Sequence, residues 1–517
     1  MPTLNWLGKD KVINHHQDVP FCVLDRKYDH GEPSENMLIK GDNLLALKSL
    51  LPLYEGRVKC IYIDPPYNTG NESWVYNDNV NDPKIKKWLG DVVGKEGEDL
   101  SRHDKWLCMM YPRLRLLQRL LAEDGAIFIS IDNNEQANLR LLCDEIFGSR
   151  NFIQTIVWNK RVSPARDAKY FSSDHEYIVV YAKCEESLKT NFLPRSEKNN
   201  SYYKNPDNDP RGAWNSAAYT CNKSKDERPN LYYPIINPNN GETVLPKASA
   251  VWAYSEETHK KHIEENILYW GSDGKSKQPR KKAYISEVGN VVPRSVWNHS
   301  DVGSTQAATL ENNIIFGERA FSYPKISSLI EQILQIATDK DDIILDSFAG
   351  SGTTAHAVLN MNKGGGKRKF ILVEMENYAE TITAERVRRV IDGYGDKEGT
   401  GGGFSFYELG EPLLLPNGDL NEKLPTEKFC EYVWYTETRT AYVPQDEDYL
   451  LGVRSDTAYY FYYEKERVTT LNHEFLKTIK TNADGYLIYA DINTLSESEL
   501  EAINIRFKKI PRDITQI

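Results

Sequence analysis

The chain has 517 residues, of which 40 % are hydrophobic and 27 % charged, a composition typical of folded rather than disordered proteins. It lacks the roughly 20 consecutive apolar residues that a membrane helix requires, and MPTLNWLGKDKV at the start has no export or transit pattern, so we expect a cytoplasmic protein without membrane contact. Seven scattered cysteines without a CxxC pair argue against a disulfide framework or zinc site, and the net charge of −11 does not exclude nucleic acid, because binding depends on where Lys and Arg lie.

The first part of the chain alternates predicted strands and helices. MLIK (37–40), the apolar run VKCIYI (58–63) and AIFISID (126–132) predict strands, and AIFISID has the apolar residues on both faces that a buried parallel strand shows. KWLCMMYPRLRLLQRLL and NEQANLRLLCDEIFG carry helical periodicity, and TIVWNK and HEYIVVYAK predict two further strands. We assign residues 1–184 to one half of an α/β core.

The composition then changes twice. Residues 185–295 are rich in Asn, Tyr, Pro, Lys and Arg with little periodicity, whereas residues 296–395 return to strands and helices. GYGDKEGTGGGF (393–404) is glycine-rich and predicts a flexible joint. The sequence therefore predicts an α/β protein with an inserted domain at 185–295 and a small α/β C-terminal domain at 396–517.

A glycine-rich turn predicts a cofactor site. Phe348-Ala-Gly-Ser-Gly-Thr-Thr354 joins a buried strand to a helix, where glycines admit a ligand to the backbone and the helix offers free N–H groups. We expect the cofactor to contact Phe348, Gly350, Gly352 and Thr353, and Glu374, which ends the next strand, to hold the ribose hydroxyls. The spacing also satisfies the dinucleotide fingerprint, so this turn alone leaves S-adenosylmethionine and NAD open.

Asp64-Pro65-Pro66-Tyr67 follows the strand VKCIYI. These residue types suit a reaction at the exocyclic amine of a nucleic-acid base. The exocyclic amine of adenine is a poor nucleophile because its lone pair is delocalised into the ring. A carboxylate and a backbone carbonyl that accept its two N–H bonds would free that lone pair, and two prolines stiffen the backbone that aims the carbonyl. Tyr67 offers a face for an unstacked base. An isolated DPPY could also be only a turn that ends a strand.

These two motifs together resemble the DNA amino-methyltransferases, and DPPY ahead of FxGxG resembles their permuted β class. The resemblance implies a Rossmann-like S-adenosylmethionine methyltransferase fold, circularly permuted, in which MLIKGD supplies the third strand of the cofactor half. It implies that Asp42 contacts the adenine of the cofactor and Asp346 its methionine end. Lys325, in FSYPKIS, matches the segment that flanks the methionine pocket. An Asp at the first motif position points to the N6 amine of adenine, with cytosine N4 as the alternative.

Longer segments, among them GDNLLALKSLL, IDPPYNTG and LDSFAGSGTTAHAVL, resemble the modification subunit of type III restriction–modification systems. This resemblance implies a double-stranded DNA substrate, a homodimer and a helicase-nuclease restriction subunit as partner. The C-terminal domain is the candidate protein–protein contact, although a purely structural role is open. The chain itself lacks the GxxxxGK[ST] loop of an ATP motor, since KGGGKRK (363–369) has the wrong spacing.

Two groups of residues are candidate DNA contacts. The insert, predicted to recognise the target, carries KSKQPRKK, whose cations predict phosphate contacts. The second group lies beside the expected base pocket. One of its members, His175, is similar to a family position near the target base. The candidates are Asn159, Lys160, Arg161 and His175, with Lys275, Lys277, Arg280, Lys281 and Lys282 in the insert.

Three classes of function therefore remain from the sequence. The first is a DNA amino-methyltransferase that uses S-adenosylmethionine. The second is a nicotinamide-dependent dehydrogenase, supported by the glycine turn alone, and the third is a DNA-recognition subunit without catalysis. No metal site is expected, because the histidines lack partner carboxylates at ligand spacing.

Overall fold

The computed structural model describes residues 4–69, 102–166 and 168–512. The chain divides into two units, one formed by residues 1–191 and 294–517 and the other by residues 192–293. Within the described ranges, no helix is both long and apolar enough to cross a membrane.

A ten-stranded sheet organises the larger unit, with the strand order β1-β10-β2-β9-β8-β3-β4-β6-β5-β7. Its strands are β1 (Cys22–Gly31), β2 (Met37–Lys40), β3 (Val58–Ile63), β4 (Leu121–Ile131), β5 (Phe152–Asn159), β6 (His175–Ala182), β7 (Val296–Asn298), β8 (Ile343–Asp346), β9 (Lys369–Glu374) and β10 (Gly403–Pro412). All six residues of β3 are buried, as a central strand covered on both faces requires.

Parallel pairing in the middle of this sheet creates a switch point. β8 pairs with β9 on one side and with β3 on the other, and β3 in turn pairs with β4. The chain leaves β8 toward β9 and leaves β3 toward β4, so the two connections diverge between β8 and β3. Ligands of open α/β sheets bind in the crevice at the carboxyl ends of such strands.

Helices cover both faces of the sheet, and the apolar residues of the sheet are buried beneath them. The longer ones are α1 (Asn43–Tyr54), α2 (Arg102–Leu120), α3 (Gln136–Cys143), α4 (Thr305–Phe316), α5 (Ser327–Ala337), α6 (Thr353–Asn362) and α7 (Glu385–Asp392). Shorter helices span Lys9–Val12, His15–Asp18 and His299–Val302, with π-helical turns at Asp144–Gly148 and Glu380–Ala384.

The expected permutation is confirmed by the position of β2. The MLIK strand pairs in parallel with β9, with Leu38 opposite Leu372 and Lys40 opposite Glu374. The cofactor half of the sheet therefore takes two strands from the second half of the sequence and one from its beginning. This strand arrangement agrees with the circularly permuted α/β fold expected from the sequence.

The chain does not divide at residue 396 as the sequence suggested. β10 (residues 403–412) lies inside the central sheet, where it pairs in parallel with β2 and antiparallel with β1. Beyond it, the Tyr435 hydroxyl donates to Glu55 at 2.5 Å and accepts from Arg119 at 2.9 Å. Residues 396–517 are thus part of the larger unit, because β10 lies between β1 and β2 in its central sheet.

The remaining C-terminal residues form a four-stranded sheet with helices around it. Its strands, in sheet order, are Leu450–Arg454, Thr457–Phe461, Gly485–Ala490 and Ile505–Lys509. The helices are Thr426–Thr438, His473–Leu476 and Glu497–Ala502, and two-residue strand pairs join Gly393–Tyr394 to Lys397–Glu398 and Thr470–Leu471 to Ile492–Asn493.

The smaller unit, residues 192–293, lies within the predicted insert of 185–295. Its largest sheet has the order Leu268–Tyr269, Arg280–Tyr284 and Trp214–Ala218. Two-stranded pairs are Thr243–Val244 with Ile235–Ile236 and Val251–Trp252 with Thr220–Cys221, and the helices are Glu197–Asn200 and Glu256–Glu264. Its core is aromatic and includes Tyr219, Tyr233, Trp252 and Trp270.

Candidate active site

Two predicted motifs meet at the switch point of the sheet. Because Leu345 of β8 lies opposite Ile61 of β3, the residues that follow both strands reach the same crevice. A cavity of about 370 Å³ opens there, a volume in the range of small-molecule sites. Its lining includes Asp64 and Pro66 after β3, Asp346 at the end of β8, Phe348 to Ser351 after it, Thr353 and Thr354 of α6, Phe321 to Lys325, and Tyr378.

The glycine turn adopts a backbone that other residues disfavour. Gly350 and Gly352 have φ angles of +53° and +82°, in the left-handed region that only glycine enters at little cost. A Cβ on Gly352 would also lie 3.0 Å from the carbonyl oxygen of Thr383. Gly352 is the N-cap of α6, so this conformation turns the chain into the helix beside the cavity.

The buried Arg386 supports this turn from behind and was not foreseen from the sequence. Its guanidinium donates to the hydroxyls of Ser351 and Thr353, both at 2.8 Å. It also pairs with Glu311 at 2.9 Å, which balances its charge inside the protein. The amphipathic pattern of α7 predicted a helix but gave no sign that one of its arginines faces inward.

Two buried carboxyl groups flank the turn. Asp346 accepts from the Phe348 N–H at 3.0 Å and from the Thr354 hydroxyl at 2.5 Å. Glu374 accepts from the N–H groups of Gly350 at 2.7 Å and Glu376 at 3.0 Å. Burial raises the pKa of each carboxyl group to about 7 despite these hydrogen bonds, because water no longer solvates the charge.

These carboxyl groups and a neighbouring serine fit a nucleoside-bearing cofactor. Glu374 lies at the carboxyl end of β9, where an acidic side chain can hold ribose hydroxyls; two backbone N–H groups and the Tyr378 hydroxyl bond to it in this structure. The buried hydroxyl of Ser347 lacks a hydrogen-bond partner among the described residues. In this structure Glu374 is only 1 % exposed, so ribose binding there requires the adjoining side chains to shift.

Asp42, expected to contact the cofactor's adenine, has a local structural role as well. It is the N-cap of α1, and its Oδ1 accepts from the N–H groups of Leu44 at 2.9 Å and Leu45 at 3.1 Å. Its buried Oδ2 has no hydrogen-bond partner within the described part of the chain. Asp42 is not among the residues that line the cavity, and its contact with a cofactor stays a prediction.

The DPPY segment continues directly from β3. The Trp106 indole donates to the Pro66 carbonyl at 2.7 Å, which fixes the second proline and occupies its oxygen. Asp64 lines the cavity, and its Oδ1 is buried and unpaired among the described residues. Trp106, which precedes LCMMYPRL in the sequence, is a supporting residue that the sequence motifs did not indicate.

Lys325 lines the cavity beside the glycine turn, and its side chain lies against Asp64. Its predicted contact with the cofactor stays a prediction. Its ammonium group donates to Asp64 Oδ2 at 2.6 Å and to the Tyr67 hydroxyl at 2.9 Å. Tyr67 donates in turn to Glu176 at 3.0 Å, and Lys160 pairs with the other oxygen of Glu176 at 2.6 Å. Glu176, in the segment HEYIVVYAK, was not predicted as a site residue, because only its neighbour His175 is similar to a family position near the target base.

The other predicted DNA contacts near the site differ in exposure. Asn159 and His175 face each other as the last pair of β5 and β6, and His175 bonds to the Tyr177 hydroxyl at 3.0 Å. Arg161 is exposed. Lys160 is committed to Glu176, so its predicted contact with a DNA phosphate competes with a short ion pair.

The basic segment of the smaller unit is only partly available to DNA. Lys282 is 3 % exposed and pairs with Asp207 at 2.5 Å and Asp209 at 2.8 Å, so the structure corrects its assignment as a phosphate contact. The Arg280 guanidinium bonds to Ser216. Lys281 is half-buried beside the Tyr254 ring, and Lys275 and Lys277 are exposed.

Comparison with known proteins identifies related sequences. A family model described as DNA methylase matches residues 58–385. The Mod subunit of the type III restriction-modification enzyme StyLTI from Salmonella typhimurium is 33 % identical, with 81 % of this chain and 68 % of the relative covered. The EcoPI Mod subunit of Escherichia phage P1 is 34 % identical (72 % and 63 % covered), and the EcoP15I Mod subunit of Escherichia coli is 31 % identical (79 % and 71 %). The chain thus spans about two thirds of the length of these relatives.

Proposed function

This chain belongs to the DNA methylase family and, within it, to the Mod subunits of type III restriction-modification enzymes, and from that premise we propose that it methylates the N6 amine of adenine in double-stranded DNA. One observation carries the proposal: Asp64, which suits the amine, and the glycine turn, which suits S-adenosylmethionine, line the same cavity. Family membership favours methyl transfer over the dehydrogenase and over a subunit without catalysis.

One group of side chains would bind the cofactor and another would bind the base. Asp346, Glu374 and the turn from Phe348 to Thr353 would hold S-adenosylmethionine, which supplies an electrophilic methyl carbon whose bonding electron pair stays on sulfur. Asp64 and a backbone carbonyl of the DPPY segment accept the two N–H bonds of the amine, and Tyr67 stacks on the base once it has left the duplex. The nitrogen gains the methyl carbon and loses one proton, and Asp64 is placed to accept that proton.

The test of this proposal is a map of modified bases. Genomic DNA from cells that carry the gene is sequenced with a method that detects methylated bases, beside DNA from cells with an Asp64→Ala copy. We expect modified adenines at one recurring sequence with the intact gene and none with the altered copy. Modified cytosines at the site would reassign the base, and no difference between the two samples would reject the function.

The ionisation of Glu374 and Asp346 predicts a pH-dependent cofactor affinity. S-adenosylmethionine carries a sulfonium charge, so it binds the carboxylate forms better than the protonated ones. Because the pKa of both free groups is about 7, affinity should rise with pH through that value, by about tenfold per group between about pH 6 and pH 8. Calorimetric titration at several pH values measures this slope.

A matched pair of variants distinguishes titration of the cofactor site from general effects of pH on the protein. Glu374→Gln should weaken binding at high pH and flatten the slope, since one of the two titrating groups is removed. Glu331→Gln is the control, because burial raises the pKa of Glu331 too while its side chain bonds to Asn360 on α6, outside the cavity. An unchanged slope in Glu374→Gln would exclude Glu374 from the cofactor site.

We propose that residues 185–295 determine the recognised sequence, since they interrupt the catalytic fold and carry exposed cations. Lys275→Ala with Lys277→Ala should weaken binding to any DNA and lower the slope of log affinity against log salt by about two, as expected for two lost phosphate contacts. Binding is measured at several salt concentrations.

The control is Lys260→Ala with Lys261→Ala. These two lysines are exposed in the same unit, but each already pairs with a glutamate of its own helix. A salt slope that changes equally in both double variants would show that general charge, not a contact by Lys275 and Lys277, is responsible.

The proposed partners follow from the relatives. The three Mod subunits are named as subunits of restriction-modification enzymes, which supports a second subunit as partner. We propose that this partner is a helicase-nuclease restriction subunit and that it joins a homodimer of this chain. Sedimentation of the full chain tests the dimer, and a monomer that methylates at full rate would contradict it.

A further inference from the structure

The two oxygens of Asp64 have different environments. Oδ2 accepts a 2.6 Å hydrogen bond from the Lys325 ammonium group. Oδ1 is buried and has no partner in the described residues, although Asp64 lines the cavity. A buried carboxylate oxygen without a donor is costly unless a ligand supplies one. The unpaired oxygen is therefore the one left for the amine of the base.

Lys325 is itself fixed by a second carboxylate. Its ammonium group lies 3.6 Å from Glu176 Oε2 and donates to the Tyr67 hydroxyl, which donates to the same Glu176 oxygen. Lys160 forms an ion pair with the other oxygen of Glu176, Oε1. The Lys325 and Glu176 side chains are only 11 % and 8 % exposed, so this group of two cations and two anions is largely shielded from water.

We propose that Lys325 is a positioning residue for methyl transfer: it keeps Asp64 ionised inside the protein and holds Oδ2, so that Oδ1 faces the target amine. This inference rests on the proposed function and moves Lys325 from the cofactor, where the sequence placed it, to the base. An ionised Asp64 accepts an N–H bond at Oδ1 more strongly than a protonated one, and only the ionised form can take up the proton that the methylated nitrogen loses.

The balance of charges explains why a lysine is needed. Burial raises the pKa of Asp64, and Glu176 raises it further, while Lys325 opposes both. The pKa of Lys325 is raised above its ordinary value, since Asp64 and Glu176 outweigh its burial. Among the described residues, the hydroxyls of Tyr62 and Tyr67 and the carboxyl group of Asp346 also act on Asp64. Lys160, the second cation of the group, pairs with Glu176, whereas Lys325 pairs with Asp64 itself.

The test compares pH profiles of turnover for Lys325→Met and Glu176→Gln with wild type at saturating cofactor and DNA. Lys325→Met should lower turnover at neutral pH by about a hundredfold and move the acidic limb of the profile up by more than about one pH unit, because Asp64 then takes a proton more readily. Glu176→Gln should leave the limb in place or move it down, since it removes an anion beside Asp64. Lys325→Arg keeps the charge and should keep the limb near its wild-type position.

Affinity for S-adenosylmethionine, measured by calorimetry, gives the second readout. We expect all three variants to bind it within about threefold of wild type. Lys325→Met that loses cofactor affinity while its acidic limb stays in place would return Lys325 to the cofactor site and overturn the proposal. An acidic limb that moves in the same direction in Lys325→Met and Glu176→Gln would also overturn it. If Lys325→Met does not fold, Lys325→Gln takes its place in this comparison. An inactive wild type is a different result, because it contradicts the proposed function itself.

Discussion

Asp64→Ala is expected to lower methyl-transfer turnover by about 10² to 10³-fold, the usual loss when one preorganised partner of a developing charge is removed. The carboxylate matters most as the amine nitrogen becomes a cation, so turnover should fall further than DNA affinity does. Steady-state turnover and DNA binding are measured on the same preparation. Wild-type turnover by this variant would remove Asp64 from the mechanism.

Asp132→Asn is the matched control for Asp64. Asp132 follows β4 at the same edge of the sheet, one strand away, where it accepts from the N–H of Asn134 at 2.8 Å. Loss of this carboxylate should leave turnover within about threefold of wild type. An equal loss of turnover in Asp64→Ala and Asp132→Asn would show that activity responds to any charge lost from this edge.

Tyr67→Ala is expected to lower turnover by up to about a hundredfold, because stacking of a base on an aromatic ring contributes about 1–3 kcal/mol. Cofactor binding should survive, since Tyr67 is not among the residues that line the cavity beside the glycine turn. Turnover and calorimetric affinity for S-adenosylmethionine are the two measurements.

Tyr67→Phe separates the ring from the hydroxyl. It keeps the stacking face and removes only the bonds to Lys325 and Glu176, so we expect a loss of less than about tenfold. If the two variants lose turnover equally, the hydroxyl and not the ring carries the role of Tyr67. If Tyr67→Ala loses cofactor affinity in proportion to turnover, Tyr67 belongs to the cofactor site.

The central fold could be predicted because its signals are local. The apolar runs of β3, β4, β8 and β9 and the motifs that follow them mark buried parallel strands and their carboxyl ends. The motif order placed MLIK beside the second half of the chain, and its pairing with β9 agrees. The active-site crevice then follows, because the carboxyl ends of neighbouring parallel strands meet at one edge.

The C-terminal boundary could not be predicted because its contacts are distant in sequence. GTGGGF resembles a linker, yet the strand that starts at Gly403 pairs with Gly31 and with Met37 onward through β2. Its partner β1, CVLDRKYDHG, is half polar, as strands near a sheet edge often are. Neither segment alone shows the apolar pattern that indicates a strand of a central sheet.

The contacts of individual lysines could not be predicted for a similar reason. A run of cations does not show which side chains turn inward, and Lys282 does so because it alternates with its neighbours on a strand. Its partners Asp207 and Asp209 lie more than 70 residues earlier. Likewise, Lys325 and Asp64 are 261 positions apart, and only the folded chain brings the cation to the carboxylate.

The most direct test of this account is the identity of the methylated base. The purified chain is incubated with duplex DNA that contains the recurring sequence and with S-adenosylmethionine labelled in its methyl group, and the DNA is then digested to nucleosides and separated. The account predicts that the label appears as N6-methyldeoxyadenosine and that Asp64→Ala abolishes it. Label in N4-methyldeoxycytidine, or no transfer to DNA by the wild-type chain, would contradict it.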